Sequence, residues 1–411
     1  MTAAAGDATG NGEIAALTGL RGCAALWVLL FHVWGAAGPR RMTLELGGLS
    51  LDFTPFFSIG WAGVQLFFVL SGFLLALPYA DWCAGRRGRP RTLPYLARRC
   101  VRVLPGYYLQ LAILIALAWY PSGPSPVEGA ADALGYLAMA FLPEPLGVPL
   151  LNDVWWTLPI EFSFYLALPL LAGLLHRRLL WPLLAIAFAA MFAWRWLTIE
   201  VWAAELAPGA RFLLGYQLPG SLDSFALGMA AALAFRSPAV RAWLAARRAR
   251  PELLALAAMA LGCALLYWMH FGYRAYWTRS AITFLWTPLF CIAAAALVLA
   301  AAGGSAILRH LLANRPLHYL GVVSYGIYLW HNPLLRWIEG AAPLAGGYAL
   351  PWLLPAVAAA TVAAAALSWH LLERPLILLV RRRLQGGSDG RAVTAPTRAD
   401  QRIATGCFGR K

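Results

Sequence analysis

The first apolar stretch of the sequence carries two ionisable side chains, Arg21 and His32, eleven residues apart. At about 3.6 residues per turn that is close to three turns, so on a helix both lie on one face, roughly 16 Å apart along the axis. Ionisable groups are costly in a membrane-length apolar helix, and by default they face a protein interior and a function. A histidine can take a proton from a hydroxyl at neutral pH. Arginines hold phosphates through charge-assisted hydrogen bonds. Other apolar stretches carry Gln65, Glu161, Asp223 and His331. A carboxylate such as Glu161 can orient a histidine and stabilise its charged form, the logic of a catalytic triad without a serine.

The elements that must position these groups are helices in a membrane. The chain has 411 residues, 61% hydrophobic and 12% charged, about half the charge usual in a soluble domain. Apolar blocks of roughly 20 residues recur. They predict an all-α, polytopic bundle of about ten spans: Ile14–Ala36, Ser58–Tyr79, Leu104–Tyr120, Val154–Leu175, Leu180–Ile199, Phe212–Phe235, Glu252–His270, Ala281–Ala301, Pro316–Trp337 and Leu350–Val380. Pro105 reads as the start of the third. Ala131–Leu142 is apolar but too short to span and is flanked by prolines, so it reads as a re-entrant or interfacial piece. Residues 1–12 and 384–411 read as disordered cytoplasmic ends of a membrane domain covering 13–383.

The formal net charge is +15. Its arginines concentrate in the loops after spans 2, 4, 6, 8 and 10, among them Arg86, Arg87, Arg89, Arg91, Arg98, Arg99 and Arg102. That is the pattern of topology rather than nucleic-acid binding, and it puts both termini in the cytoplasm. With that orientation His32, Gln65, Glu161, Asp223 and His331 share a layer in the outer half, with Arg21 deeper and the arginine-rich loop below it. The six cysteines have no metal-ligand spacing, so neither a metal site nor a structural disulfide is expected. The first apolar block is long and lacks a basic leader, so it reads as a retained span rather than a signal peptide. Alanine and arginine abound and the only lysine is Lys411, a bias of GC-rich bacterial genes, which suggests a bacterial cytoplasmic membrane. His370 and Glu373, one turn apart, read as a structural pair.

Six segments in order resemble the acyltransferase-3 family of membrane proteins. They are Leu17-Thr18-Gly19-Leu20-Arg21-Gly22 with His32, Gly63 to Phe73, Arg99-Cys100-Val101-Arg102 before Leu104-Pro105, Trp155-Trp156-Thr157-Leu158-Pro159-Ile160-Glu161, Ser324 to Pro333, and Glu373-Arg374-Pro375. The resemblance covers about Leu17 to Pro375. Thr157 replaces the family's usual serine and Gly106 a common proline. It implies an O-acyltransferase that moves an acetyl or other short acyl group from acyl-coenzyme A to a hydroxyl, usually on a sugar, with an essential histidine and arginine in the first helix. No hydrolase-like domain follows the last helix here, so the membrane unit is expected to carry the whole reaction.

The resulting expectation has His32, Glu161 and Arg21 as catalytic groups, His32 as general base or brief acyl carrier, with Glu161 orienting His32 or the acceptor and Asp223 and His331 as second choices for that role. Arg99, Arg102 and Arg21 bind the phosphates of acyl-coenzyme A, the acetyl form first. Trp155, Trp156, Asp223, His331 and Gln65 contact the acceptor. That acceptor is a cell-surface or lipid-linked glycan, or a small natural product such as a macrolide or its sugar. A secondary transporter or flippase is the rival from another class. It also wants intramembrane charges, but no internal repeat supports it, and transport does not require the Arg-x₁₀-His and R-x-x-R pair.

Overall fold

The structure is a computed structural model, and it describes residues 14–117, 127–143, 146–171, 173, 180–202, 208–276, 280–341 and 349–386. The expectations for residues 1–12, for most of the C-terminal tail and for the last residues of the fourth expected span lie outside them. Helix α1 (Ala15–Ala36) leads into a hairpin of β1 (Thr43–Leu46) and β2 (Leu49–Asp52), then α2 (Thr54–Ser58) and a short 3-10 turn before α3 (Gly63–Cys83). Next come α4 (Thr92–Ala116), α5 (Ala130–Leu137), α6 (Thr157–Leu171), α7 (Leu180–Trp196), α8 (Pro208–Gly215) and α9 (Leu222–Arg236). The chain continues through α10 (Pro238–Ala246), α11 (Ala249–Gly272), α12 (Ala281–Ala302), α13 (Ala306–Leu312), α14 (Arg315–Val322) and α15 (Ser324–Ala341). It ends in α16 (Leu350–Ser368), which runs through a π-helical turn into α17 (Arg374–Gly386).

Among the described residues, nine helices are long and apolar enough to cross a membrane. The expected third span is a longer helix than the apolar pattern indicates: α4 begins at Thr92 and runs through Pro105. Arg99 and Arg102 therefore lie on helix rather than in a loop, three residues apart and on one face. The expected sixth span is broken, because Tyr216-Gln217-Leu218-Pro219-Gly220-Ser221 separates α8 from α9. Asp223 is thus in the first turn of α9, not eleven residues into a helix. The expected ninth span divides at Val323 into α14 and α15. Helix α15 has 18 residues and is mostly buried; His331 and Asn332 face protein, while Arg336 near its end is exposed and pairs with Asp153. Ala131–Leu142 holds only the eight-residue α5, too short to cross a bilayer. The last helix reaches Gly386, three residues past the expected boundary.

The core lies where α1, α3, α9 and α12 meet, with α14, α15 and α16 closing around α1. Small residues set the separations. A Cβ at Gly19 would overlap the Leu312 carbonyl, and one at Gly321 would overlap the Thr18 carbonyl. Backbone-to-backbone approach of this kind is how membrane helices gain packing when apolar burial gives little drive. It fixes the rotation of α1, and so the direction in which Arg21 and His32 point.

Candidate active site

His32 of α1 and His331 of α15 touch. The His331 Nε2 atom is 3.2 Å from His32 Nδ1, and the ring centroids are 4.9 Å apart. Each ring also bonds to the carbonyl four residues earlier on its own helix: His32 Nδ1 to Val28 at 2.9 Å, and His331 Nδ1 to Ile327 at 3.1 Å. A carbonyl only accepts, so each Nδ1 carries a hydrogen in the neutral pair. His331 then has its lone pair on Nε2, and the His32 Nδ1–H is shared between the Val28 carbonyl and that lone pair. The Nε2 of His32 is left with a free lone pair. His32 borders a cavity of about 740 Å³, and His331 is fully buried behind it.

The walls of this large cavity are mostly apolar and aromatic, including Phe31, Trp61, Trp156, Phe212, Tyr216 and Tyr276. Asp153 joins His32 on its lining and pairs with Arg336. A second, smaller cavity of about 50 Å³ is lined by Arg21, Ser71, Glu161 and Ser324, among others. Val64 and Tyr328 line both, so they form the partition. Tyr328 is held there by donating to the Val154 carbonyl at 2.9 Å, with Thr157 Oγ1 at 3.0 Å. One helix thus carries His32 in one cavity and Arg21 in the other. Glu161 lies with Arg21, not His32: its Oε1 accepts from Ser71 at 2.9 Å and from Tyr165 at 2.5 Å. The group that meets His32 is His331.

Arg99, Arg102 and Glu161 all lie within electrostatic reach of Arg21. The two α4 arginines differ in their partners. Arg102 pairs with Glu373 at 3.6 Å, donates to the Val322 carbonyl at 3.3 Å and lies over Trp369. Arg99 stacks over Tyr165, and its Nε has no hydrogen-bond partner. Glu373 also accepts from Ser368 at 2.9 Å, while His370 sits beside Tyr319, so these two do not form the expected pair. A family model described as an acyltransferase domain matches residues 14–370. The chain belongs to the acyltransferase-3 family.

Relatives of this acyltransferase include the acyltransferase MdmB of Streptomyces mycarofaciens, 29% identical over 90% of this chain and 93% of the relative. The exopolysaccharide production protein ExoZ of Rhizobium meliloti (strain 1021) is 27% identical over 82% of this chain and 96% of its own. The putative peptidoglycan O-acetyltransferase YrhL of Bacillus subtilis (strain 168) is 26% identical over 77% of this chain and 50% of its own. No solved structure matches the chain.

Four expected acceptor contacts of the acyltransferase line neither cavity: His331, which sits behind His32, and Trp155, Gln65 and Asp223. Trp155 is fully buried and donates to Gln110 Oε1 at 2.7 Å; its neighbour Trp156 is the one on the cavity wall, packed on Phe212 and Tyr216. Gln65 is buried and borders neither cavity. Asp223 accepts from the Ser224 backbone N–H at 2.8 Å and lies within reach of Arg195, a buried arginine not singled out from the sequence. Arg195 donates to the Thr283 carbonyl and Thr287 Oγ1, both at 3.0 Å, and lies under Tyr216, whose hydroxyl bonds to that of Tyr276. The Arg195 cluster braces the cavity wall from behind. Sequence reasoning also passed over the network of Gln110, Asn152 and Asn332 that ties α4 and the segment leading into α6 to α15. The signal available was Asn332 directly after His331, a second polar side chain in one apolar block.

Proposed function

We propose that the acyltransferase moves a short acyl group from acyl-coenzyme A to an acceptor hydroxyl held in the large cavity. His32 Nε2 takes the hydroxyl proton as the oxygen attacks the thioester carbonyl. The carbon–sulfur bond breaks, the coenzyme A thiolate leaves and is protonated, and His32 returns to its neutral form by losing the proton it took. While His32 is charged, His331 Nε2 and the Val28 carbonyl both accept from its Nδ1–H, which stabilises the imidazolium. The donor's phosphates lie towards Arg21 and Arg99, and its thioester end passes between Val64 and Tyr328. Both termini are cytoplasmic in a bacterial cytoplasmic membrane, so the donor enters from inside and the product forms towards the outer face. The observation that carries the reading is a histidine with one nitrogen doubly held and the other free, lining a cavity on the same helix as an arginine that lines the neighbouring one.

For the acceptor, a hydroxyl of a sugar on a cell-surface or lipid-linked glycan agrees with the names of the exopolysaccharide and peptidoglycan relatives. The aromatic lining and the size of the large cavity favour a second reading, a small natural product such as a macrolide or its sugar. The test uses purified protein in nanodiscs with labelled acetyl-coenzyme A, following binding and thiol release. His32→Ala keeps binding and loses turnover; Arg99→Ala and Arg102→Ala weaken binding. Failure of the wild type to bind any short or long acyl-coenzyme A refutes the donor assignment and puts a transporter first.

A further inference from the structure

The hairpin after α1 has an apolar face that the rest of the protein leaves uncovered. Its register pairs Leu44 with Leu51 and Leu46 with Leu49. Residues two apart share a face and direct cross-strand partners share a face, so all four leucines lie on one side. Thr43, Glu45, Ser50 and Asp52 lie on the other. The four leucines are between 36% and 59% exposed. An isolated two-stranded hairpin is marginal in water, and this one exposes on one side the surface that should be buried. The strands are joined by Gly47 and Gly48, both at positive φ, which keeps the turn tight and the face regular.

Where the hairpin is fastened says what covers it. Tyr267 donates to the Asp52 carbonyl, and Ser58, just beyond the hairpin, bonds to His270 at 2.7 Å. Tyr267 and His270 belong to the last turns of α11, a helix that exposes apolar side chains along its length. Those same turns, with the residue after them, expose Trp268, Phe271 and Tyr273. Aromatic side chains at the end of an apolar spanning helix mark the level of the lipid headgroups. The hairpin base is therefore pinned at headgroup level. Arg40 and Arg41, both exposed, lead into it and match the anionic side of that layer.

We infer that the β1–β2 hairpin lies in the membrane interface at the His32 end of the bundle, with its leucine face in the acyl boundary of that leaflet and its Glu45 face towards water. Tyr273 also borders the large cavity, so this lipid contact lies beside it. The inference does not depend on the acyl-transfer reading. It is tested with Leu49→Cys and Glu45→Cys, each in a variant whose native cysteines are replaced, labelled with an environment-sensitive fluorophore in nanodiscs. Doxyl-labelled phospholipid and aqueous iodide are the two quenchers. The expected result is blue-shifted emission at position 49, lost to doxyl lipid and spared by iodide, with the opposite at position 45. Iodide quenching at both positions overturns the inference. So does a position-49 probe reached by neither quencher, which means that protein covers the leucines, a second copy being checked by crosslinking. Doxyl quenching of both faces overturns the sided arrangement.

Discussion

Replacing His331 by leucine removes the acceptor that faces His32 Nδ1 and leaves the Val28 carbonyl as the remaining one. His32 stays in its helix, and the Arg21 cavity is untouched. The loss falls on the step in which His32 becomes charged. A hydrogen bond to a charged group contributes about 1.5–3 kcal/mol, and about 1.36 kcal/mol is tenfold in rate, so kcat drops by about 10- to 150-fold. Removing the base itself, in His32→Ala, costs about 10²- to 10⁴-fold. The assay is thiol release from acetyl-coenzyme A in nanodiscs, beside equilibrium binding of the labelled donor. Binding stays at the wild-type level while kcat falls. His331→Gln regains part of the rate, because its side-chain oxygen can accept at the reach of the lost Nε2. A His331→Leu protein that folds, binds donor and turns over within about twofold of wild type sinks the dyad, since an acceptor worth so little lies below the range expected for a charged partner. Equal rates in the leucine and glutamine variants would instead assign the effect to packing.

Three further outcomes are expected. Gly19→Ala, whose Cβ would overlap the Leu312 carbonyl, lowers thermal stability in detergent by an overpacking cost of about 1–3 kcal/mol; Gly35→Ala on the same helix, with open space around its Cβ, shows no loss. Gln110→Leu leaves the Trp155 indole N–H without its acceptor and takes one of two from the Asn152 amide, at about 1–3 kcal/mol for each buried group stranded; an unchanged unfolding midpoint counts against the network. Thr54 donates to the Asp52 carboxylate and holds it below the ordinary carboxylate range. A depressed carboxyl stabilises the folded form above its unfolded pKa and loses that contribution as pH falls through the folded one. Protection of residues 42–54 against hydrogen exchange, taken relative to the intrinsic rate at each pH, therefore falls on acidification in the wild type more than in Asp52→Asn.

Much of the site was legible because one helix carries two of its parts. Arg21 and His32 needed only a period and a spacing, and the structure gives each a cavity. Depth along a span was a weaker guide. It put Glu161 and His32 in one layer, but depth says nothing of the direction a side chain points, and Tyr328 and Val64 stand between them. Asp223 was misplaced because its helix was taken as continuous across Pro219-Gly220, a breaker signal present in the sequence. Pro105 misled in the other direction. A proline starts or ends many soluble helices, but neighbours in a membrane bundle satisfy the freed backbone groups, and α4 runs straight through it. The break at Val323 has no such signature. It occurs where Gly321 lets α14 meet the Thr18 carbonyl, a contact between residues some 300 positions apart that no local pattern encodes. His32 and His331 meet across a similar distance in sequence.

The partition between the cavities bears on why such an enzyme would separate its arginine from its base. A thioester is open to water as well as to a hydroxyl acceptor, so a site that joins donor and acceptor across a membrane must keep water from following the donor. Tyr328 is fixed by two hydroxyl contacts, to Val154 and Thr157, and backed by Val64. Its hydroxyl is already committed, so it offers little to a water column, and apart from Asp153 the lining around His32 is mostly apolar and aromatic. On the proposed mechanism, proton transfer at His32 takes place beside those aromatic walls, where few polar groups compete with its bond to His331. Arg21 and Glu161 remain on the other side of that partition, where a charged donor can be met without bringing its hydration into the chamber that holds the base.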